Sequence, residues 1–248
     1  MLGLGLGLNK NAFINNNFTL PTALHQWNYQ KTSIVGTTMT ATDFGSIGGY
    51  SLTNPDLASL PTLNSNSIGF DGVSQILTKD TANFRNADTT GCFHFKFYAI
   101  DGQNQFLFSM TDGTASNGYI FFQKRDTNTF RVVTNNYGVF NGVILETLAN
   151  SVTTGLNTCS IYHNGVRALV LLNGVKIQPG DYATDYLSQY WIKRYHDSGG
   201  SITNISMGGL YNTSSTYSQE NIKYIAYEPY GTEGSMLANH DLIRNTDF

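Results

Sequence analysis

Paired carboxylates are the first chemistry to look for in this chain, because a nucleophile and an acid/base on one strand face would make a glycoside hydrolase. There are four glutamates, Glu146, Glu220, Glu228 and Glu233, and none has an acidic residue two or four positions on to share its strand face. Glu146 in VILETL and Glu228 in IAYE are left to meet only across two sheets, so solvated strand ends are expected and no enzymatic activity. The histidines, His25, His94, His163, His196 and His240, are dispersed without an HExxH or an i,i+4 pair. That pattern points to structural or surface roles rather than to metal ligation or a triad. No GxSxG occurs, and the glycine-rich opening lacks the spacing of a phosphate loop. Cys92 and Cys159 each open a strand-like run, with no CxxC, and are expected as buried free thiols.

Aromatic residues offer a different chemistry. The stretch DYATDYLSQYWIKRYHD, residues 181–197, concentrates Tyr182, Tyr186, Tyr190, Trp191 and Tyr195. Tyrosine and tryptophan bring large faces at low entropic cost and suit both sugar stacking and protein contact. Tyr186, Tyr190, Trp191 and Tyr195 are therefore the candidate ligand- or partner-binding residues. A second candidate is the N-terminal MLGLGLGLNKN, too glycine-rich for a stable helix, whose Leu2, Leu4, Leu6 and Leu8 suit a docking arm over residues 1–16. Net charge is −3 and only Lys124-Arg125 and Lys193-Arg194 place basic residues side by side, which excludes a duplex-binding footprint. No run is long and apolar enough to insert in a membrane, and the N-terminus does not read as a signal peptide.

Positioning these residues falls to strands. GCFHFKFYAI alternates Phe93, Phe95 and Phe97 inward against His94, Lys96 and Tyr98. NQFLFSM, GYIFFQK and TFRVVT repeat the period of two, separated by turn clusters such as DGQN and RDTN at sandwich spacing. In IYHNGVRALVLLNGVKI, residues 161–177, Asn173-Gly174 predicts a type I′ hairpin pairing Leu172 with Val175 and Leu171 with Lys176. Val170, Leu172, Val175 and Ile177 then share the core face, and the hairpin is half-buried. SIGFDGVSQIL predicts two strands about an Asp71-Gly72 turn, and NIKYIAYE a central strand apolar on both faces. The tail GTEGSMLANHDLI predicts one short helix capped at Ser235. About a dozen strands without interleaved helices give an all-β, antiparallel two-sheet sandwich over residues 17–248, behind the arm.

Three stretches together carry a resemblance. SIGFDGVSQIL, ALVLLNGVKI and ISMGGLYNTSSTYSQENIKYIAYE resemble, in order and spacing, the early strand pair, the Asn-Gly hairpin and the closing pair of laminin-G/concanavalin-A-like jelly-roll domains. MLGLGLGLNKN resembles the start of small structural proteins of tailed bacteriophages. The resemblance implies a non-enzymatic virion protein, made in the host cytoplasm and attached to capsid or tail. It implies other virion proteins and further copies of itself as partners, with host surface glycan as a possible ligand and neither nucleic acid nor membrane involved. The alternative is a free carbohydrate-binding, lectin-like module; a glycan depolymerase ranks third, since the Glu-x-Asp-x-x-Glu strand of the family's hydrolases is missing. No cofactor is implied beyond the calcium that such jelly rolls often bind near the rim, where Asp71, Asp101, Asp112 and Asp126 lie in turns. Asx turns are the expected role of these four.

Overall fold

The computed structural model describes residues 18–55, 59–81, 84–113, 118–136, 140–178, 181–185, 191–197, 201–211 and 216–247. Leu2, Leu4, Leu6, Leu8, Tyr186 and Tyr190 lie outside them. The first strands are β1 His25–Asn28, β2 Thr32–Val35, β3 Thr38–Ala41, β4 Leu52–Thr53, β5 Thr62–Leu63, β6 Ile68–Asp71 and β7 Leu77–Asp80. Longer ones follow: β8 Gly91–Ala99, β9 Gln105–Thr111, β10 Tyr119–Lys124, β11 Phe130–Asn136, β12 Phe140–Thr147, β13 Gly155–His163 and β14 Ala168–Leu172. After β15 Val175–Lys176 and β16 Tyr182–Asp185 comes a short helix, α1, at Ile192–Asp197. The chain closes with β17 Asn204–Met207, β18 Gly209–Leu210, β19 Thr216–Tyr217, β20 Gln219–Glu228 and α2 Glu233–Asn245.

These strands form a two-sheet antiparallel β-sandwich. The eight-stranded sheet runs β15-β14-β13-β8-β20-β6-β5, with β1 pairing the upper half of β20. The ten-stranded sheet runs β16-β12-β11-β10-β9-β17-β7-β4-β3-β2. Between them lies one core extending from Phe18 to Ile243, in which Phe93 sits 4.6 Å from Phe122 across the sheets and Phe95 stands 5.3 Å from the same ring. Every inward phenylalanine of GCFHFKFYAI is there, and β20 is central as its two apolar faces require.

The hairpin has the expected register, and Asn173 (φ 52) and Gly174 (φ 87) both adopt the left-handed backbone that a type I′ turn demands. Its burial differs from expectation. Val170 and Leu172 face the main core, but Leu169 and Leu171 are buried too, while Val175 is 63% exposed. The reason is α2, which lies across the outer face of β13 and β8 and closes a second apolar cluster of Cys92, Tyr162, Leu171 and Met236. That helix is longer than the tail predicts, 13 residues, and its N-cap is Thr232, with Ser235 at the third position completing a capping box. SIGFDGVSQIL leads through its expected Asp71-Gly72 turn from β6 to β7; β6 joins the eight-stranded sheet and β7 the ten-stranded one, so the turn passes between sheets.

Candidate functional site: a buried polar chain and an open basin

Chemistry-bearing residues gather in two places. The first is the outer face of the eight-stranded sheet beneath α2. His94 and Lys96, expected to face outward, are buried there at 0% and 3% exposure. Gly174 N–H donates to His240 Nε2 at 2.9 Å, which leaves the ring proton on Nδ1 to donate to Ser160 Oγ at 2.7 Å. Ser160 can then donate to His94 Nδ1 at 2.6 Å, and His94 Nε2–H to Glu228 Oε1 at 2.6 Å. Thr22 and Asn239 complete the shell of the Glu228 carboxylate. Every proton in the chain has one direction and one acceptor. Burial pushes the Glu228 carboxyl up, but His94, Thr22 and Asn239 together hold it below its ordinary value. Burial and the neighbouring His94 lower His240 to about 4.

Ser160, His94 and Glu228 thus stand in the geometric order of nucleophile, base and orienting acid. All three are fully buried under a packed helix, so no substrate reaches Ser160. Cys92 Sγ lies 3.4 Å from His94 Nε2, and Cys92, His94 and Glu228 converge closely enough to hold a metal ion, the one such group among the described residues. A metal there would have to displace the His94 Nε2 proton and a thiol proton that burial and Glu228 hold in place by raising the Cys92 pKa well up. Cys159 faces the opposite, inner side in the main core, so both cysteines are buried and free. Glu146 is bound by Arg125 and Thr129 in the ten-stranded sheet and shares no partner with Glu228. Four of the histidines are buried, which corrects the surface half of their expected role; the His196 side chain is outside the described set.

The second place is the outer face of the ten-stranded sheet around β9, β10 and β11, where no helix among the described residues lines the surface. Phe106, Gln123 and Arg131 stand side by side across β9, β10 and β11. Phe121, packed edge-on to Phe106 at 4.9 Å, continues the outward side of β10. At one end of this face opens a basin of about 550 Å³. Its floor is Phe106, Gln123 and Arg131; its walls are the 101–104 loop and the Tyr217–Gln219 segment. Each wall is fastened. Lys124, fully buried, donates its ammonium to the carbonyls of Ile100 and Gln103, and Ser218 accepts the Phe106 N–H at 2.9 Å. The β18–β19 ribbon, pinned by Ser109 Oγ to Gly209 O and Thr111 Oγ1 to Tyr211 O, brings Tyr217 to the rim.

Arg131 is half-buried. Its Nε donates to Gln123 Oε1 at 2.6 Å; Glu146, its cross-strand partner on β12, is engaged by Arg125 and Thr129, and Asp126 lines the same basin. Burial, with Arg125 nearby, lowers its pKa from the usual arginine value against the opposing pull of Glu146 and Asp126, and it remains a cation at any ordinary pH. Asp71, on the rim, takes the N–H groups of Val73, Ser74 and Gln75 and the Ser74 hydroxyl, the Asx-turn role expected of it. Glu220, next to the wall residue Gln219, is sealed from the basin, and burial pushes its carboxyl well up.

Among the sequence candidates, Trp191 and Tyr195 are core residues, 7% and 4% exposed, with Trp191 stacked on His163 and packed on Phe93. Trp191, just before α1, and Tyr195, on it, both turn their rings into the core, so neither offers a face to a ligand. The basin residues were missed. Their signal is present in TFRVVT and GYIFFQK: Arg131 stands outward between the inward Phe130 and Val132, and Gln123 outward after the inward Phe122.

No family model matches the chain, and no curated protein does. Solved structures match in fold. A Trypanosoma rangeli sialidase complexed with 2,3-difluorosialic acid superposes with a TM-score of 0.61 at 10% identity, covering 92% of this chain and 34% of its own. A leech intramolecular trans-sialidase complexed with 2,7-anhydro-Neu5Ac gives a TM-score of 0.51 at 16% identity, over 66% of this chain and 27% of its own. The NanB sialidase of Streptococcus pneumoniae gives 0.50 at 13% identity, over 69% and 27%. This chain therefore spans about a third or less of the length of each, and what they share with it is the sandwich.

Proposed function

We propose that this chain is a non-enzymatic glycan-binding module that takes an acidic sugar in the Arg131 basin. The observation that carries the reading is Arg131 itself: a half-buried guanidinium on the basin floor, hydrogen-bonded to a neutral amide, while the nearby Glu146 carboxylate is taken by Arg125 and Thr129 and Asp126 stands at the basin's edge. Keeping a cation partly out of water with no carboxylate hydrogen-bonded to it costs free energy, and a ligand carboxylate offsets that cost with charge-assisted hydrogen bonds. Phe106 and Tyr217 supply flat apolar faces for a sugar ring, and Gln123 and Gln219 supply amides for hydroxyls. Sialic acid is the first acidic sugar to try, since sialidases crystallised with sialic-acid derivatives share the fold.

The test is binding of the full chain to a panel of sialylated, uronate-containing and neutral oligosaccharides. Binding to acidic members, lost on Arg131→Ala and with every glycan recovered intact, supports the reading; binding confined to neutral members and indifferent to Arg131→Ala overturns it. Attachment to a tailed-phage virion is a separate proposal, resting on Leu2, Leu4, Leu6 and Leu8. Deleting residues 1–16 tests it, with loss of incorporation into particles and retained glycan binding as the expected pair of results.

A further inference from the structure

A second, smaller basin of about 220 Å³ opens beside the first. The two share Asp71 and Gln219, which are direct cross-strand partners on β6 and β20, so this pair forms a low ridge between them. Gly72 lets the ridge stay narrow: its φ is +76, and a Cβ there would come within 2.8 Å of Gln219 N. Beyond the ridge the lining changes character. Thr62, Asn64, Gln75 and Asn221 present hydroxyl and amide groups, with no cation among them. Asn64 Nδ2 donates to Asn221 Oδ1 at 3.2 Å, which orients the Asn221 amide with its nitrogen free. Gln75 is oriented likewise, its Nε2 donating to Leu60 O at 2.9 Å and its Oε1 left as an acceptor. Gly69 forms the floor, and a Cβ there would lie 2.8 Å from Asn64 Nδ2 and 3.0 Å from Asn221 Oδ1.

From this arrangement we infer that the second basin is a subsite for a neutral sugar, so that the ligand is a chain of at least two residues crossing the Asp71–Gln219 ridge. The acidic residue lies at Arg131 and its neutral neighbour at Asn221 and Gln75. Fixed donors and acceptors of opposite kinds match the hydroxyls of a neutral ring. A second carboxylate is excluded, because the Asp71 carboxylate stands at the mouth of this basin and no cation answers it. The inference rests on the glycan-binding reading and adds chain length and charge order to it.

Calorimetric titration of the full chain with two pairs of probes tests it: N-acetylneuraminic acid against 3′-sialyllactose, and glucuronic acid against a hyaluronan tetrasaccharide. In at least one pair the oligosaccharide should bind about tenfold tighter than its monosaccharide. Asn221→Ala, checked by an unchanged thermal midpoint, should abolish that gain and leave monosaccharide affinity as it was; Gln75→Ala is the second variant. Equal affinity within both pairs, or a gain that survives both variants, overturns the subsite while leaving the Arg131 reading standing. No binding of any of the four probes overturns both.

Discussion

Beneath α2, the outer face of the eight-stranded sheet carries Cys92, His94, Lys96, Ser160 and Glu228, all buried; the outer face of the ten-stranded sheet carries Phe106, Gln123 and Arg131 around an open basin. Both are the outward positions of alternating strands in one sandwich. The covered face holds a triad-like order of side chains in which Ser160, His94 and Glu228 are each satisfied by another protein group, although the Tyr162 hydroxyl beside them is left without a partner among the described residues. The open face holds Arg131, whose hydrogen-bond partner is a neutral amide and whose neighbouring Glu146 is occupied by Arg125. Density of reactive side chains therefore marks what holds the helix to the sheet, whereas a solvent-accessible cation with no carboxylate hydrogen-bonded to it marks where a ligand goes.

Breaking the covered face should have the largest effect on stability. Glu228→Ala strips His94, Thr22 and Asn239 of their acceptor and should cost about 3–5 kcal/mol, lowering the thermal midpoint by about 10 °C, with glycan affinity of the folded protein unchanged. Acid should act next. His240 is lowered to about 4 from 6.5, so between those values the unfolded chain binds a proton that the folded chain refuses. Stability therefore falls as pH drops from 6.5 toward 4, by on the order of 3 kcal/mol. Glu228 and Asp43, both held below their ordinary values, act with the same sign at the lower end. Denaturant midpoints across this range check the sign; a midpoint rising on acidification contradicts the proton directions assigned under α2.

Lys96→Met comes third. The Lys96 ammonium reaches the carbonyls of Ile243, Arg244 and Thr246 at 2.9, 3.0 and 2.6 Å, answering the free end of α2. Its loss should cost about 1–2 kcal/mol, read by faster amide exchange in the last turn of α2. Smallest on stability is Arg131→Ala, within about 0.5 kcal/mol, because its hydrogen-bond partner is a neutral amide that water replaces. Glycan affinity should fall about a hundredfold in the same variant. The opposite orderings of the two readouts in Glu228→Ala and Arg131→Ala are what separate the faces.

The inner half of this molecule was legible in the sequence. Phe93, Phe95 and Phe97, the Asn173-Gly174 turn and the central place of β20 all follow from period two and turn chemistry. The outer half was not, because alternation tells which residues leave the core and not what lies over them. His94 and Lys96 read as outward, and only the packing of α2 makes them buried. Trp191 and Tyr195 read as a platform, since composition cannot tell that their rings, just before and on a six-residue helix, turn into the core. Arg131 was passed over because a lone arginine in a strand carries no motif; its meaning depends on its partners across neighbouring strands, Gln123 on β10 and a Glu146 on β12 that Arg125 already holds.

Nitrogen-15 NMR of the full chain titrated with 3′-sialyllactose reads both outer faces at once and shows which of them meets the ligand. The prediction is that the Arg131 Nε–H signal and the amides of Phe106, Gln123 and Gln219 move in proportion to ligand, while those of His94, Ser160 and Glu228 stay still. Shifts confined to residues under α2, with Arg131 unmoved, would contradict it.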